Sequence, residues 1–348
     1  MLLRPISSYA RELKSALPKQ AFEPAHSRLL WLPIHLAVIT LGTVSLAAGW
    51  LPWLLAPLVS LAIGVSFAGS TFLAHETLHG AVVRNNALRR IVGTIGFLPF
   101  LVSPRLWIAW HNRVHHGHAN EPGVDPDAYP TLAAYRASWT LRVLTDHLGP
   151  GREKPAGALS LLIGFSVQSA HVLVERRKYL PKREQRWALL ESTLAAGFWL
   201  TLALVIGGLP FLFAFVLPLL VANAVVMSFI LTNHSLSPHT EINDPLVNSL
   251  SVTLPRALEF LTLNFGYHVE HHVFPWMSSR HAPALREILL ARYPERYQSM
   301  PLVRALLTLH RTGRVYKDDT TLLDAPSGQE WPTLMPREEE PSEIRPAA

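Results

Sequence analysis

The sequence predicts an all-α integral membrane protein: four transmembrane helices in two hairpins, interfacial helices, and a histidine-rich cap on the cytoplasmic side. Three observations carry that expectation. The 348 residues are 49% hydrophobic and only 16% charged, greasier than an average soluble domain. The apolar residues lie in two long blocks without Asp, Glu, Lys or Arg, residues 29–74 and 192–240. Nine of the 17 histidines gather near the ends of those blocks.

The elements follow in chain order. Residues 1–28 carry Arg4, Arg11, Lys14 and Lys19 ahead of any apolar run; this is not the order of a cleaved signal peptide, and a cytoplasmic segment is expected. The membrane domain is read as residues 29–317. Its first block breaks at Gly49-Trp50-Leu51-Pro52-Trp53, a turn with interfacial tryptophans. Each half has about 20 residues, enough at about 1.5 Å per residue to span about 30 Å of hydrocarbon. The second block breaks at Gly207-Gly208-Leu209-Pro210 and makes the second hairpin. Two shorter runs, residues 91–102 and 158–174, are expected to be interfacial or re-entrant. Were the second to span, it would split the histidines between the two faces of the membrane. Arg84, Arg89, Arg90, Arg176, Arg177, Lys178, Lys182, Arg183 and Arg186 flank the spans, and the short turns carry no Lys or Arg. Both termini are therefore expected in the cytoplasm. From Asp318 the chain is rich in Pro, Glu, Asp and Ser, and residues 318–348 are expected to be a disordered tail.

Net charge is +6 and the pI is about 9.7, yet the basic residues border apolar blocks and no nucleic-acid motif is present, so they read as topology signals. Cysteine is absent. Any metal must then be held by nitrogen or oxygen.

The histidines fall into four segments. His75-Glu76-Thr77-Leu78-His79 continues the second span, and a spacing of four places both imidazoles on one helix face. In His111-Asn112-Arg113-Val114-His115-His116, His111 and His115 share a face and His116 adds a neighbouring nitrogen. His234 stands just beyond the last span. His268-Val269-Glu270-His271-His272 presents three imidazoles within one turn. Polar groups beside lipid are costly without a role, and neutral imidazole ligates iron and zinc well. Nine imidazoles exceed what one tetrahedral zinc uses. Two octahedral metals with positions open to dioxygen match the number. The histidine segments hold a single Glu-x-x-His, Glu76 to His79, not the two that soluble carboxylate-bridged di-iron bundles supply.

With Asp125-Pro126-Asp127 and Tyr129-Pro130-Thr131 after the second box and Val273-Phe274-Pro275 after the third, this arrangement resembles the membrane fatty acid desaturase family. That family includes sphingolipid desaturases, hydroxylases and carotenoid ketolases, and the likeness runs over residues 29–302. The resemblance implies two Fe ions held by His75, His79, His111, His115, His116, His234, His268, His271 and His272. It further implies O2 as co-substrate and a membrane lipid or fatty acyl substrate that loses two hydrogens from neighbouring methylenes. Front-end relatives have Gln at the position of His268 and a fused cytochrome b5 marked by His-Pro-Gly-Gly. This sequence has neither, so an external electron donor of ferredoxin or cytochrome b5 type is expected.

Other readings stand beside these. Glu76 also completes the His-Glu-x-x-His pattern of a zinc metalloprotease, which leaves the remaining seven clustered histidines unexplained. Glu76, Asn112, Asp125, Asp127, Asn233 and Glu270 are candidates to orient the ligands; Asp125 and Asp127 equally suit a turn cap before Pro126 and Pro130. His118, His239 and His281 lack the periodicity and are expected on the surface. His35 reads as a packed helix residue. Trp107, Trp110, Phe274 and Trp276 either wall an acyl tunnel or mark the membrane interface. A hydroxylase or ketolase on the same scaffold is the nearest alternative activity. A transporter is disfavoured, since it would carry its histidines within the spans.

Overall fold

The computed structural model describes residues 2–151 and 157–336. Helices dominate, and four are long and apolar enough to cross a membrane: His26–Ala47, Trp53–Leu78, Lys182–Ile206 and Gly208–His234. In hydrocarbon every backbone N–H and C=O must be satisfied within the segment, which favours continuous helix in such uncharged blocks. Short turns at the two predicted breaks join the first span to the second and the third to the fourth. Trp50 and Trp53 stand 68% and 79% exposed at the first turn, as an aromatic belt requires.

The second and fourth spans form the interior, and the first and third turn Leu41, Leu204 and Val205 outward. Phe67, Phe72, Val226 and Phe229 belong to the shared core. Gly64 lets the two inner helices meet closely: a Cβ there would lie 2.5 Å from Val221 Cβ and 2.8 Å from the Pro218 carbonyl. Small residues are what allow such approaches where lipid supplies no hydrophobic drive.

Between the two pairs of spans, Asn86–Phe100 and Pro104–His115 meet at a bend of 99°. Leu101 adopts the left-handed region (φ 59°), Pro104 cannot continue the backbone ladder, and Ser103 Oγ caps the new helix at Leu106 N. Thr71 Oγ1 of the second span donates to the Gly96 carbonyl at 3.0 Å and fastens the bent pair to that span. From Ile108 to His115 the helix is a π-helix. The helix Ala158–Val174 lies along the last span, where Ser166 N donates to Asn223 Oδ1 at 3.0 Å.

Beyond the histidine ends of the spans sits a polar cap. Its N-terminal helix Ile6–Lys14 docks on Ala282–Arg292 through Tyr9, Leu13, Leu285 and Leu289. Buried Asp244 ties the pieces together, accepting from Tyr9 Oη (3.1 Å) and Arg296 Nη2 (2.6 Å).

Two expectations need correction. The fold is mostly helical but not all-α. Strand β1 (Ser251–Thr253) pairs in parallel with β2 (Ser299–Pro301), and β3 (Val315–Asp318), β4 (Thr321–Asp324) and β5 (Gln329–Pro332) form an antiparallel meander. The predicted boundary at residue 318 cuts through β3, and the supposed disordered tail is ordered as far as the described residues reach. Average composition concealed the reason: Val315 with Leu323 on one face of this small sheet and Tyr316 with Leu322 on the other are all buried, and Leu334 N donates to the Leu236 carbonyl at 2.7 Å. Residues 337–348 of that predicted tail lie outside the described residues.

Candidate metal centre

All nine histidines converge where the inner spans meet the cap. They sort into two sets whose nitrogens lie within 4.8 Å of one another: His75, His79, His111, His116 and His271; and His115, His234, His268 and His272. Local helix geometry decides the sorting. In the π-helix His116 N bonds to the His111 carbonyl at 3.0 Å, an i to i+5 step. His111 and His116 therefore return to one side and His115 falls to the other, whereas α-helical spacing paired His111 with His115. Within the α-helix His268–Val273, His268 and His272 share a face and His271 points to the other set.

The donor spacing fits metal ions. His75 and His111 Nε2 lie 3.0 Å apart, His116 and His271 Nε2 3.1 Å, His268 and His272 Nε2 3.1 Å, and His234 and His268 Nε2 2.6 Å. Two ligands at right angles on one ion, each at about 2.1 Å, are separated by about 3.0 Å. His79 Nε2 is buried with no hydrogen-bond partner among the described residues, a cost that a ligand role removes. Burial, reinforced by the neighbouring imidazoles, holds His79, His111, His116, His268 and His272 well below the usual imidazole range and brings His271 to about 3. These rings are neutral at physiological pH, the form that ligates.

The supporting residues act in different ways. Asp125 accepts from His115 Nδ1 at 3.0 and 3.1 Å, which turns the other ring nitrogen to the cluster. The same carboxylate accepts from Asn120 N (2.8 Å) and Asp127 N (2.9 Å), so it is a ligand-orienting group and a turn cap at once. Burial opposes charge on His115, but Asp125 and Asp127 outweigh it and raise that imidazole to about 9. Asp127 Oδ2 stands 3.5 Å from His115 Nδ1, and burial raises its carboxyl to about 6. Asn112 Nδ2 donates to the Leu78 carbonyl at 3.2 Å, linking the second box to the end of the second span. Glu270 faces away from the rings; Ser251 Oγ and Tyr297 Oη both donate to it at 2.6 Å, and Ser251 Oγ accepts from His268 N. The Asn233 side chain makes no hydrogen bond among the described residues, so its expected link to a ligand is not seen.

Sequence reasoning missed Asn248, whose carbonyl lies 3.1 Å from His234 Nδ1. A backbone acceptor leaves no side-chain signal. It also missed Asn120, in the left-handed region at φ 56°, whose side chain ties the His234, Pro238 and Asn248 carbonyls together. His118 lies on the surface beside Glu121, and His281 is half-buried outside both sets. His239 is not on the surface: it is buried and stacked on Tyr316 at 3.5 Å between ring centroids. His35 packs against Gly69 and Trp31.

Glu76 does not behave as a protease base. Its Oε1 accepts from Ser278 Oγ (2.5 Å) and Ser279 N (2.9 Å), and Arg28 approaches its Oε2 at 3.8 Å. It fastens the segment after the third box to the second span. Glu76→Ala is expected to leave these buried donors unpaired and to lower stability by about 1–3 kcal/mol. Denaturant unfolding in detergent reads that; unchanged stability with lost activity would instead give Glu76 a chemical role.

A small apolar chamber of about 40 Å³ borders both sets, lined among others by Phe72, Phe97, Trp107, Phe165, Val226 and Phe265. Trp107 stacks on His111 at 4.4 Å and Trp110 lines the same chamber. Phe274 packs instead against Phe22, and Trp276 is half exposed.

Residues 48–303, most of the membrane domain with all nine histidines, match the family model described as fatty acid desaturase. The chain belongs to the fatty acid desaturase family. Among curated relatives, the sn-1 oleoyl-lipid 12-desaturase of Arthrospira platensis is 27% identical, covering 74% of this chain and 76% of its own length. The sn-1 acyl-lipid omega-3 desaturase (ferredoxin) of Synechocystis sp. is also 27% identical, over 85% of this chain and 84% of the relative. The chloroplastic omega-6 fatty acid desaturase of Spinacia oleracea is 24% identical, over 89% and 70%. This desaturase is thus an oxidoreductase of lipid metabolism and an integral membrane protein, and its histidine clusters suit a metal cofactor.

Proposed function

We propose that this desaturase is an O2-dependent di-iron enzyme that introduces a C=C double bond into the acyl chain of a membrane lipid. The observation that carries the reading is the sorting of nine imidazoles, seven buried and two half-buried, into two adjoining sets that both line one apolar chamber. His75, His79, His111, His116 and His271 would hold one iron; His115, His234, His268 and His272 would hold the other. Nine nitrogen donors in sets of five and four exceed what one tetrahedral zinc takes and suit two octahedral irons.

The chemistry such a pair supplies when bound is oxidation by dioxygen: O2, two electrons and two protons remove one hydrogen from each of two neighbouring methylenes, leaving a double bond and two waters. The protein's own contribution is position and dryness. Trp107 and Phe265 pack on the rings and keep water from them, and Phe72, Phe97 and Phe165 confine an acyl segment beside both sets. A methylene offers no acid, base or leaving group, and no carboxylate pair need be aimed at it. The electrons would come from an external donor of ferredoxin or cytochrome b5 type; the relative from Synechocystis sp. carries ferredoxin in its name. Lys and Arg cluster at the histidine ends of the spans and are absent from the turns at the opposite ends, which supports two hairpins with both termini and the active site cytoplasmic.

The test is expression in a desaturase-null host with mass spectrometry of its lipids and metal analysis of the purified protein. Acyl chains lighter by two hydrogens, with about two irons per chain, are expected from the two donor sets. A gained oxygen would make the enzyme a hydroxylase, and a zinc-loaded protein with unaltered lipids would overturn the reading.

A further inference from the structure

Beside the chamber lies a second, larger cavity of about 250 Å³. It runs between the helix Ala158–Val174, the histidine end of the last span and the segment around Pro126–Pro130, with Leu144, Ile163, Val167, Met227 and Leu231 among its walls. Gly164 makes the crossing of the two helices close: a Cβ there would come within 2.8 Å of Met227 Cε. Val167 and Leu159 are each about two-fifths exposed on the outer face of the shorter helix, so the cavity opens sideways at the level of the last span's end.

Asp127, Gln168 and Ile230 line both this groove and the chamber. One layer of side chains therefore separates them. Gln168 Nε2 donates to Asp127 Oδ1, the oxygen that also receives Trp110 Nε1 at 3.3 Å. If the Gln168 side chain swings away, the Asp127 carboxylate keeps its indole donor, so opening the partition leaves no orphaned buried charge. Asp127 and Ile230 then remain between the two spaces.

We propose that the groove is the lateral port through which an acyl chain, still attached to its membrane lipid, enters from the bilayer, with Gln168 as the movable side chain that closes it onto the metal chamber. The occupant follows from the lining. Among the described residues, Asp127, Tyr129 and His171 are its titratable members and no Lys or Arg lines it; a thioester bearing a phosphorylated carrier would need cations there, whereas a hydrocarbon chain needs only apolar walls. Gln168 is a positioning residue in this scheme and touches no reacting atom. The inference rests on the acyl-chain reading above.

The experiment uses the full chain in phosphatidylcholine vesicles whose acyl chains carry a diazirine. After illumination, label is expected on the peptides holding Gly164, Val167 and Met227, and Gln168→Ala should raise labelling of Phe72 and Phe265 in the chamber several-fold. Val167→Trp, which fills the groove, should lower both labelling and desaturation at least about tenfold with metal content unchanged, while Leu204→Trp on the outer face of the third span should change neither. Label confined to other faces, or full turnover in Val167→Trp, would overturn the port. Label in the groove from a protein that never desaturates would keep the port and sink the desaturase reading, so the two failures are distinguishable.

Discussion

His268→Ala is expected to abolish turnover and to leave the purified protein with about one iron per chain in place of about two. His268 Nε2 meets both His234 (2.6 Å) and His272 (3.1 Å), and it is the common neighbour of its set. Removing it leaves three donors there, while the other set keeps all five. A metal's contribution to such chemistry is worth several kcal/mol, so the loss of one ion should cost activity by at least about 10³-fold. Metal analysis and lipid profiling of the same preparation read the two effects together. Full metal content with full activity would remove His268 from the ligands. Because His268→Ala also leaves a void, His268→Gln, which keeps a polar group of similar reach, serves as the control for folding.

Asp125→Asn ranks next. The carboxylate fixes His115 through Nδ1 and is itself held by Asn120 N and Asp127 N. The amide keeps the size and one acceptor but gives up the charge that favours the Nδ1–H tautomer. Losing such an outer partner typically costs 10–100-fold in metal affinity or activity. The expected outcome is a loss of about that size in iron retention against a chelator, with the protein still folded. Iron held as tightly as in the unaltered protein would reduce Asp125 to a turn cap.

Different parts of the molecule were legible to different degrees. The four spans follow from charge-free blocks of the right length, because hydrocarbon admits few other solutions. Gathering of the histidines was legible too, since His75, His79 and His234 stand at span ends and the other two segments follow them on the same expected side of the membrane. Their sorting was not. It depends on a π-helical stretch from Ile108 to His115 that no periodicity announces, because one inserted residue per turn is decided by packing. The tail shows the opposite failure: its mean composition is polar, yet the pairs Val315-Tyr316 and Leu322-Leu323 suffice for a small sheet when a neighbouring surface covers them.

His239 and Glu270 teach the same lesson from either side. An unpatterned histidine is buried under Tyr316, and a glutamate within a metal box turns away to Ser251 and Tyr297. Neither outcome has a local cause; each depends on segments distant in the chain. By itself the sequence determined the membrane class, the spans and the pool of nitrogen donors, because these follow from composition and spacing that local physics reads. Only the tertiary structure decided which imidazoles share a set, which carboxylate holds His115, and that Asp127 and Gln168 stand between chamber and groove. Those relations join residues from separate elements, and packing alone sets their distances.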